Sequence, residues 1–216
     1  MNKTDLKLYA ITDRQWLHGA RLSEHVKLAI EGGATMIQIR DKDILSTDSD
    51  AGLNDEYKEA LEIKRICHEH NVPLIINDNV QFAIDIDADG VHLGQDDMNP
   101  AEARKLLGTD KIIGVTAKTV EQAKKAQADG ADYLGSGAVF GSTTKLNAKP
   151  MTKELLQEIT VAVDIPVVAI GGINADNAAT LNGTGIAGIA VVGAIFASAD
   201  IKAAAKELAE ICDKML

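Results

Sequence analysis

Cysteine is scarce in this 216-residue sequence: Cys67 and Cys212 are the only two, far apart and in no CxxC pair. That excludes a disulfide framework and suits a reducing interior. A basic stretch is also missing. Lys and Arg number 22 against 32 Asp and Glu, for a formal net charge of -10, which argues against a general nucleic-acid surface. No apolar run approaches the roughly 18 residues of a membrane helix, and the opening MNKTDLKLYAITD lacks the apolar core of a signal peptide. No linker rich in Pro, Gly or Ser divides the chain. These absences predict one domain over residues 1–216, working in the cytoplasm, with cations placed singly rather than massed.

Short apolar runs recur: LYAIT (8–12), MIQIR (36–40), LIIND (74–78), GVHLG (90–94), IIGVT (112–116), YLGSG (133–137), VVAIG (167–171) and GIAVV (188–192). Most lack clean alternation, as parallel strands covered on both faces should. Helical patterns lie between them, including Ser23 to Gly32 with Ser as the expected N-cap, Thr119 to Gly130, and Ile201 to Met215. EGGAT, ADGADY and LNGTGIAG each read as a helix end, a Gly and entry into the next strand. Roughly eight βα units in a chain of this length favour an α/β fold closed as a (β/α)8 barrel, the TIM-barrel class, over an open doubly wound sheet. The polar stretch DKDILSTDSDAGLNDEY reads as a long loop after the second strand.

In such a barrel the site forms at the C-terminal ends of the strands. Those ends hold Gln38, Arg40 and Lys42; Asn77 and Asp78; Gln95, Asp96 and Asp97; Thr116 and Lys118; Ser136 and the loop running to Lys145; Gly171 and Gly172; and Val192 and Gly193. Paired carboxylates repel unless protonated or bridged by a cation, and Asp78 with Asp97 suits Mg²⁺. The same spacing also suits two helix caps. Gly171, Gly172 and the Val192–Gly193 stretch close strands seven and eight, where backbone N–H groups form phosphate cups. GSTTK adds hydroxyls and Lys145, and a guanidinium such as Arg40 in a barrel mouth calls for an anion. His68 and His70, two apart, point to different helix faces and read as solvated. His92, inside a strand, reads as a satisfied core histidine. Trp16 and His18 lie in the loop after the first strand, where either could contact a ligand.

The ordered set YAITD, QIRDKD, LIINDN, GVHLGQDD, IIGVTAKT, ADYLGSGAVFGSTTK, AIGGI and VVGAI, spread over nearly the whole chain, resembles the thiamine-phosphate synthase family. That resemblance implies a (β/α)8 barrel that joins 4-amino-2-methyl-5-pyrimidinylmethyl diphosphate to a thiazole phosphate with Mg²⁺, releasing diphosphate. It assigns Gln38, Ile39, Arg40, Asp41, Lys42, Asn77, Thr116 and Lys145 to the pyrimidine diphosphate, and Asp78 and Asp97 to Mg²⁺. Ser142, Thr143, Thr144, Gly171, Gly172, Val192 and Gly193 would hold the thiazole phosphate. Arg40, Lys42, Lys145 and Thr116 are the expected catalytic residues.

Four positions depart from the family pattern: Thr116 replaces its usual Ser, Lys118 its His, Asn79 a common second Asp, and GAVFGS its proline-rich loop. Two other functions stay open from sequence. One is a related thiazole tautomerase; the other is a non-catalytic barrel that binds phosphorylated precursors. Partners are expected to be small molecules, with no nucleic acid and no membrane, and self-association to a homo-oligomer is open.

Overall fold

The computed structural model describes residues 1–41, 55–141 and 150–216. Eight parallel strands close in chain order: β1 (Leu8–Ile11), β2 (Met36–Ile39), β3 (Leu74–Asn77), β4 (Gly90–Leu93), β5 (Ile112–Thr116), β6 (Tyr133–Gly137), β7 (Val167–Ile170) and β8 (Gly188–Val191), the last pairing back onto β1. Six α-helices occupy crossovers: α1 (Leu22–Glu31), α2 (Asp55–Glu69), α3 (Val80–Asp85), α4 (Pro100–Leu107), α5 (Val120–Ala128) and α6 (Lys153–Ala162). The β7–β8 crossover carries only the 3-10 turn Ala178–Leu181, and α7 (Gly193–Phe196) and α8 (Ile201–Met215) follow β8. The closed (β/α)8 barrel expected from the sequence is present. Among the described residues no helix is long and apolar enough to cross a membrane.

Closure explains why the strands read as continuous apolar runs: each buries both faces. Leu8 and Ala10 face the helices while Tyr9 and Ile11 face the barrel interior, and Leu134 and Tyr133 divide the same way. The two layers exclude water from opposite sides of one sheet. They also fix which strand-end residues can enter the mouth, because side chains alternate along a strand.

Local chemistry sets where the helices start. Asn79 accepts from the Phe82 amide at 2.9 Å, Asn99 from Ala101 at 2.9 Å with Pro100 in the first turn, and Thr119 from Gln122 at 3.2 Å. The expected Ser23 cap is corrected: α1 begins at Leu22 with Arg21 at the N-cap, and Ser23 is buried within the first turn. Two first-turn amides of α1, free of intrahelical partners, are satisfied from another helix. Glu59 of α2 accepts from the Leu22 and Ser23 amides at 2.8 and 3.4 Å through Oε1, a tertiary contact that no local pattern announces.

Candidate active site

Asp78 and Asp97 lie at the mouth, one directly after β3 and the other in the loop after β4, with their carboxylates in hydrogen-bonding contact. Burial, then the hydrogen bond and charge of Asp97, push the Asp78 carboxyl from its usual range up to about 6; the Asn77 amide and the Arg40 charge pull the other way. Neither carboxylate caps a helix, since Asn79 and Asn99 do that. Asp97 Oδ2 instead accepts from the Gly94 amide at 2.6 Å, and Asp78 Oδ2 from Asn77 Nδ2 at 2.6 Å. The Asp78 backbone sits at φ 61, and its amide donates to the His92 carbonyl at 2.8 Å. A non-glycine residue held in that sparsely populated region marks a place where surrounding structure dictates side-chain direction.

The donor set fits a hard divalent cation. Two carboxylates meet where burial and mutual repulsion make one of them reluctant to ionise alone, and a 2+ charge between them removes that penalty. Among the described residues no group of three or more His, Cys, Asp or Glu side chains converges. Water and substrate phosphate would complete the coordination, as Mg²⁺ prefers.

Gln38 and Arg40 share one strand face. Gln38 is buried inside the barrel, with Nε2 donating to the Tyr9 hydroxyl at 2.5 Å. Arg40 stands higher, its amide donating to Thr12 Oγ1 at 3.1 Å and its guanidinium 3.9 Å from Asp13 Oδ2. Ile39 packs in the helix-facing core. Asp41 is engaged by Arg14 Nε, while Arg14 Nη1 donates to Glu59 Oε2 at 2.9 Å. The backbone leading out of β2 is thereby tied to the two first-turn amides that Glu59 also holds. Arg14 thus draws Asp41 inward, leaving its side chain 5% exposed. Lys42, Ser142, Thr143, Thr144 and Lys145 lie outside the described residues.

Thr116 ends β5 on the interior face, its Oγ1 3.0 Å from His92 Nε2 and its carbonyl accepting from Gln95 Nε2 at 2.5 Å. His92 reaches the Tyr133 hydroxyl through Nδ1 at 3.0 Å, and Tyr133 reaches Tyr9 at 2.8 Å. Burial holds the imidazole down at about 4 and raises both tyrosine hydroxyls, so the chain is neutral at ordinary pH. The expectation of a satisfied histidine agrees with this geometry. Tyr9 and Tyr133 were not legible as site residues, although a signal existed: Gly114 and Gly135 interrupt otherwise apolar strands. A Cβ on Gly114 would overlap the Tyr133 ring, and one on Gly135 would lie 3.0 Å from His92 Cε1.

On the opposite rim, Gly171 and Gly172 have φ of 102 and 67. A Cβ on Gly172 would come within 2.9 Å of the Phe140 and Gly141 carbonyl oxygens, so only glycine permits this approach. Val192 precedes α7, which starts at Gly193. Ser136 is fully buried, with no hydrogen-bond partner for its Oγ among the described residues. Alternation puts it on the Leu134 side, away from the mouth. His68 and His70 are exposed, as expected.

Comparison with known proteins gives this mouth a family. A family model described as "Thiamine monophosphate synthase" matches residues 8–195. The chain belongs to this family. The thiamine-phosphate synthase of Ruminiclostridium cellulolyticum is 49% identical over 210 residues, covering 97% of each chain. That of Clostridium botulinum is 44% identical over 99% of this chain and 97% of its own. A solved thiamine phosphate pyrophosphorylase from Pyrococcus furiosus superposes with a TM-score of 0.87 at 38% identity, covering 99% of this chain and 98% of its own. Membership carries thiamine-phosphate synthase activity, a transferase function in thiamine biosynthesis.

Proposed function

We propose that this barrel couples 4-amino-2-methyl-5-pyrimidinylmethyl diphosphate to 4-methyl-5-(2-phosphoethyl)thiazole, or its 2-carboxy form, by a dissociative substitution that depends on Mg²⁺ held by Asp78 and Asp97. The observation that carries this reading is the contact between those two carboxylates beside Arg40. Bound there, Mg²⁺ supplies Lewis-acid stabilisation to the oxygens of the leaving diphosphate. Arg40, Lys42 and Lys145 add positive charge where negative charge grows as the methylene C–O bond breaks, so they favour the transition state over the ground state. The electron-rich aminopyrimidine delocalises the positive charge left on its methylene. The thiazole nitrogen then donates its electron pair to that carbon, and no protein nucleophile is consumed.

Gln38, Asn77 and Thr116 would orient the pyrimidine diphosphate. The hydroxyls of Ser142, Thr143 and Thr144, the Gly171–Gly172 turn and the backbone at Val192–Gly193 would hold the thiazole phosphate, whose charge suits N–H donors. The same proposal includes one barrel domain over residues 1–216, a cytoplasmic location, small-molecule partners rather than nucleic acid or membrane, and room for self-association to a homo-oligomer. Purified protein incubated with both substrates should form thiamine phosphate and diphosphate in equal amounts, and chelation should abolish this. Binding without product would favour a precursor-binding barrel, and isomerisation of a thiazole carboxylate phosphate without coupling would favour a tautomerase.

A further inference from the structure

We propose that Gln38, Tyr9, Tyr133 and His92 form a one-way hydrogen-bond chain that fixes the Thr116 hydroxyl as a donor into the barrel mouth, toward an oxygen of the substrate diphosphate. The choice of recipient rests on the reaction proposed above; the direction of the chain rests on its own geometry. The links run from Gln38 Nε2 to the Tyr9 hydroxyl at 2.5 Å, on to Tyr133 at 2.8 Å, to His92 Nδ1 at 3.0 Å, and from His92 Nε2 to Thr116 Oγ1 at 3.0 Å.

Counting protons sets the direction. The Gln38 amide nitrogen donates and cannot accept. Tyr9 therefore places its own proton on the Tyr133 oxygen, which leaves the Tyr133 proton for Nδ1. A neutral imidazole with Nδ1 accepting carries its proton on Nε2 and donates it to Thr116. Among the hydroxyl and ring protons of the chain, that of Thr116 is then the one left to point into the mouth. Run backwards, the chain leaves the Tyr9 proton facing an amide NH₂. A doubly protonated ring turns Nδ1 into a donor and strands the Tyr133 proton instead. With the Gln38 amide nitrogen toward Tyr9, one direction gives each hydroxyl and ring nitrogen between Gln38 and Thr116 a matching partner.

The interior is shaped for this chain. Tyr133 lies over Gly114, where any side chain would collide with its ring, and His92 over Gly135, where a Cβ would press on the ring edge at 3.0 Å; glycine inside a strand is otherwise a cost. Tyr9 and Tyr133 meet edge to face with centroids 5.9 Å apart, so their hydroxyls are held by packing as well as by hydrogen bonding. The Thr116 backbone is held separately, through the Gln95 bond to its carbonyl. A hydroxyl whose acceptor side already holds an N–H needs no reorganisation when substrate charge develops, which is the property preorganised sites exploit.

The test uses the full chain with ¹⁵N-labelled histidine, the His92 signals being assigned by their loss in His92→Gln. At neutral pH the native ring should be protonated on Nε2 and bare on Nδ1, and Tyr133→Phe should mix the two tautomers. A native ring protonated on Nδ1, or on both nitrogens, overturns the proposal. In turnover with both phosphorylated substrates, Tyr133→Phe should lower kcat about tenfold with little change in KM, the loss of one oriented hydrogen bond. Thr116→Ser should keep that sensitivity, and Thr116→Val should abolish it; an undiminished Tyr133→Phe effect in the Thr116→Val background also overturns the proposal. Should Tyr133→Phe not fold, Tyr9→Phe makes the same test one link earlier. A chain that forms no thiamine phosphate sinks the proposed reaction, whereas the tautomer still decides the hydrogen-bond chain.

Discussion

The carboxylates of Asp78 and Asp97 meet across the ends of β3 and β4, and burial together with this contact pushes the Asp78 carboxyl up to about 6. Without a cation the pair is a standing source of repulsion above that pH. Asp78→Asn and Asp97→Asn should therefore behave oppositely in two assays. Each should lower the rate of thiamine phosphate formation about a hundredfold or more, the scale of losing a group that acts on developing charge. Each should also hold or raise the melting temperature of the metal-free protein at pH 8. A variant with near-native rate at limiting Mg²⁺ would remove that residue from the metal site.

The same shift predicts a pH dependence with a defined sign. A carboxyl whose folded pKa is raised favours the folded state at low pH, and that contribution is lost as pH climbs from the ordinary carboxylate range through about 6. Mg²⁺ binds the ionised form, so its affinity should rise over the same window and its binding should release a proton. Calorimetric titration with Mg²⁺ at pH 6 in two buffers of different ionisation enthalpy measures that proton directly. Identical heats in the two buffers would show that Asp78 does not deprotonate on binding.

Residues far from the mouth hold the β2 exit in place. Glu59 accepts from the Leu22 and Ser23 amides with one oxygen and from Arg14 with the other, and Arg14 also grips Asp41. Glu59→Ala strips two helix-start amides and part of the guanidinium of their partner at once. It should destabilise the fold by about 3 kcal/mol, the scale of a broken buried pair, read as a lowered urea midpoint with unchanged slope. Glu59→Gln keeps an acceptor and should cost less. Equal losses in the two variants would mean that packing rather than capping holds this junction.

How far the sequence exposed this site follows from the range of the interactions involved. Strand ends were legible because apolar runs stop where polar residues enter the mouth, and β5 and β6 carry the predicted bounds, Ile112–Thr116 and Tyr133–Gly137. Asp78 and Asp97 were legible as a pair because neighbouring parallel strands bring their ends together. Whether they capped helices was not, since Asn79 and Asn99 stand close by in the chain and take that role. The chain of Tyr9, Tyr133 and His92 was hidden for a different reason. Tyr9 and Tyr133 are 124 residues apart, and only the barrel's closure makes them neighbours. Glu59 reaching Leu22 across 37 residues is the same kind of case. Ser136 misled because a strand end alone does not say which face a residue takes.

The glycines under the rings provide a packing test. Gly114→Ala places a methyl in the Tyr133 ring, a fully buried group. Overpacking of this kind costs about 1–3 kcal/mol, so melting should fall clearly. Gly135→Ala meets only the edge of His92 at 3.0 Å and should cost less stability while still displacing the ring. Near-native stability of Gly114→Ala would show that the Tyr133 ring can move, and with it the spacing to Tyr9 and His92.

Gly172 separates the two substrate sites experimentally. Its φ of 67 lies where side chains are disfavoured, and an added Cβ would sit 2.9 Å from two backbone oxygens. Gly172→Ala must therefore shift the turn against the Phe140–Gly141 backbone, moving N–H groups that the proposed phosphate cup requires. Asn77 ends β3, and Asp78 and Arg40 directly follow β3 and β2, remote in strand order from this rim of β7. The substitution should raise KM for the thiazole phosphate about tenfold or more while leaving KM for the pyrimidine diphosphate near its native value, measured with each substrate varied against saturating partner. A rise confined to the pyrimidine diphosphate would reverse the assignment of the two rims, because a local shift of one turn cannot weaken a distant diphosphate clamp and spare the anion it touches.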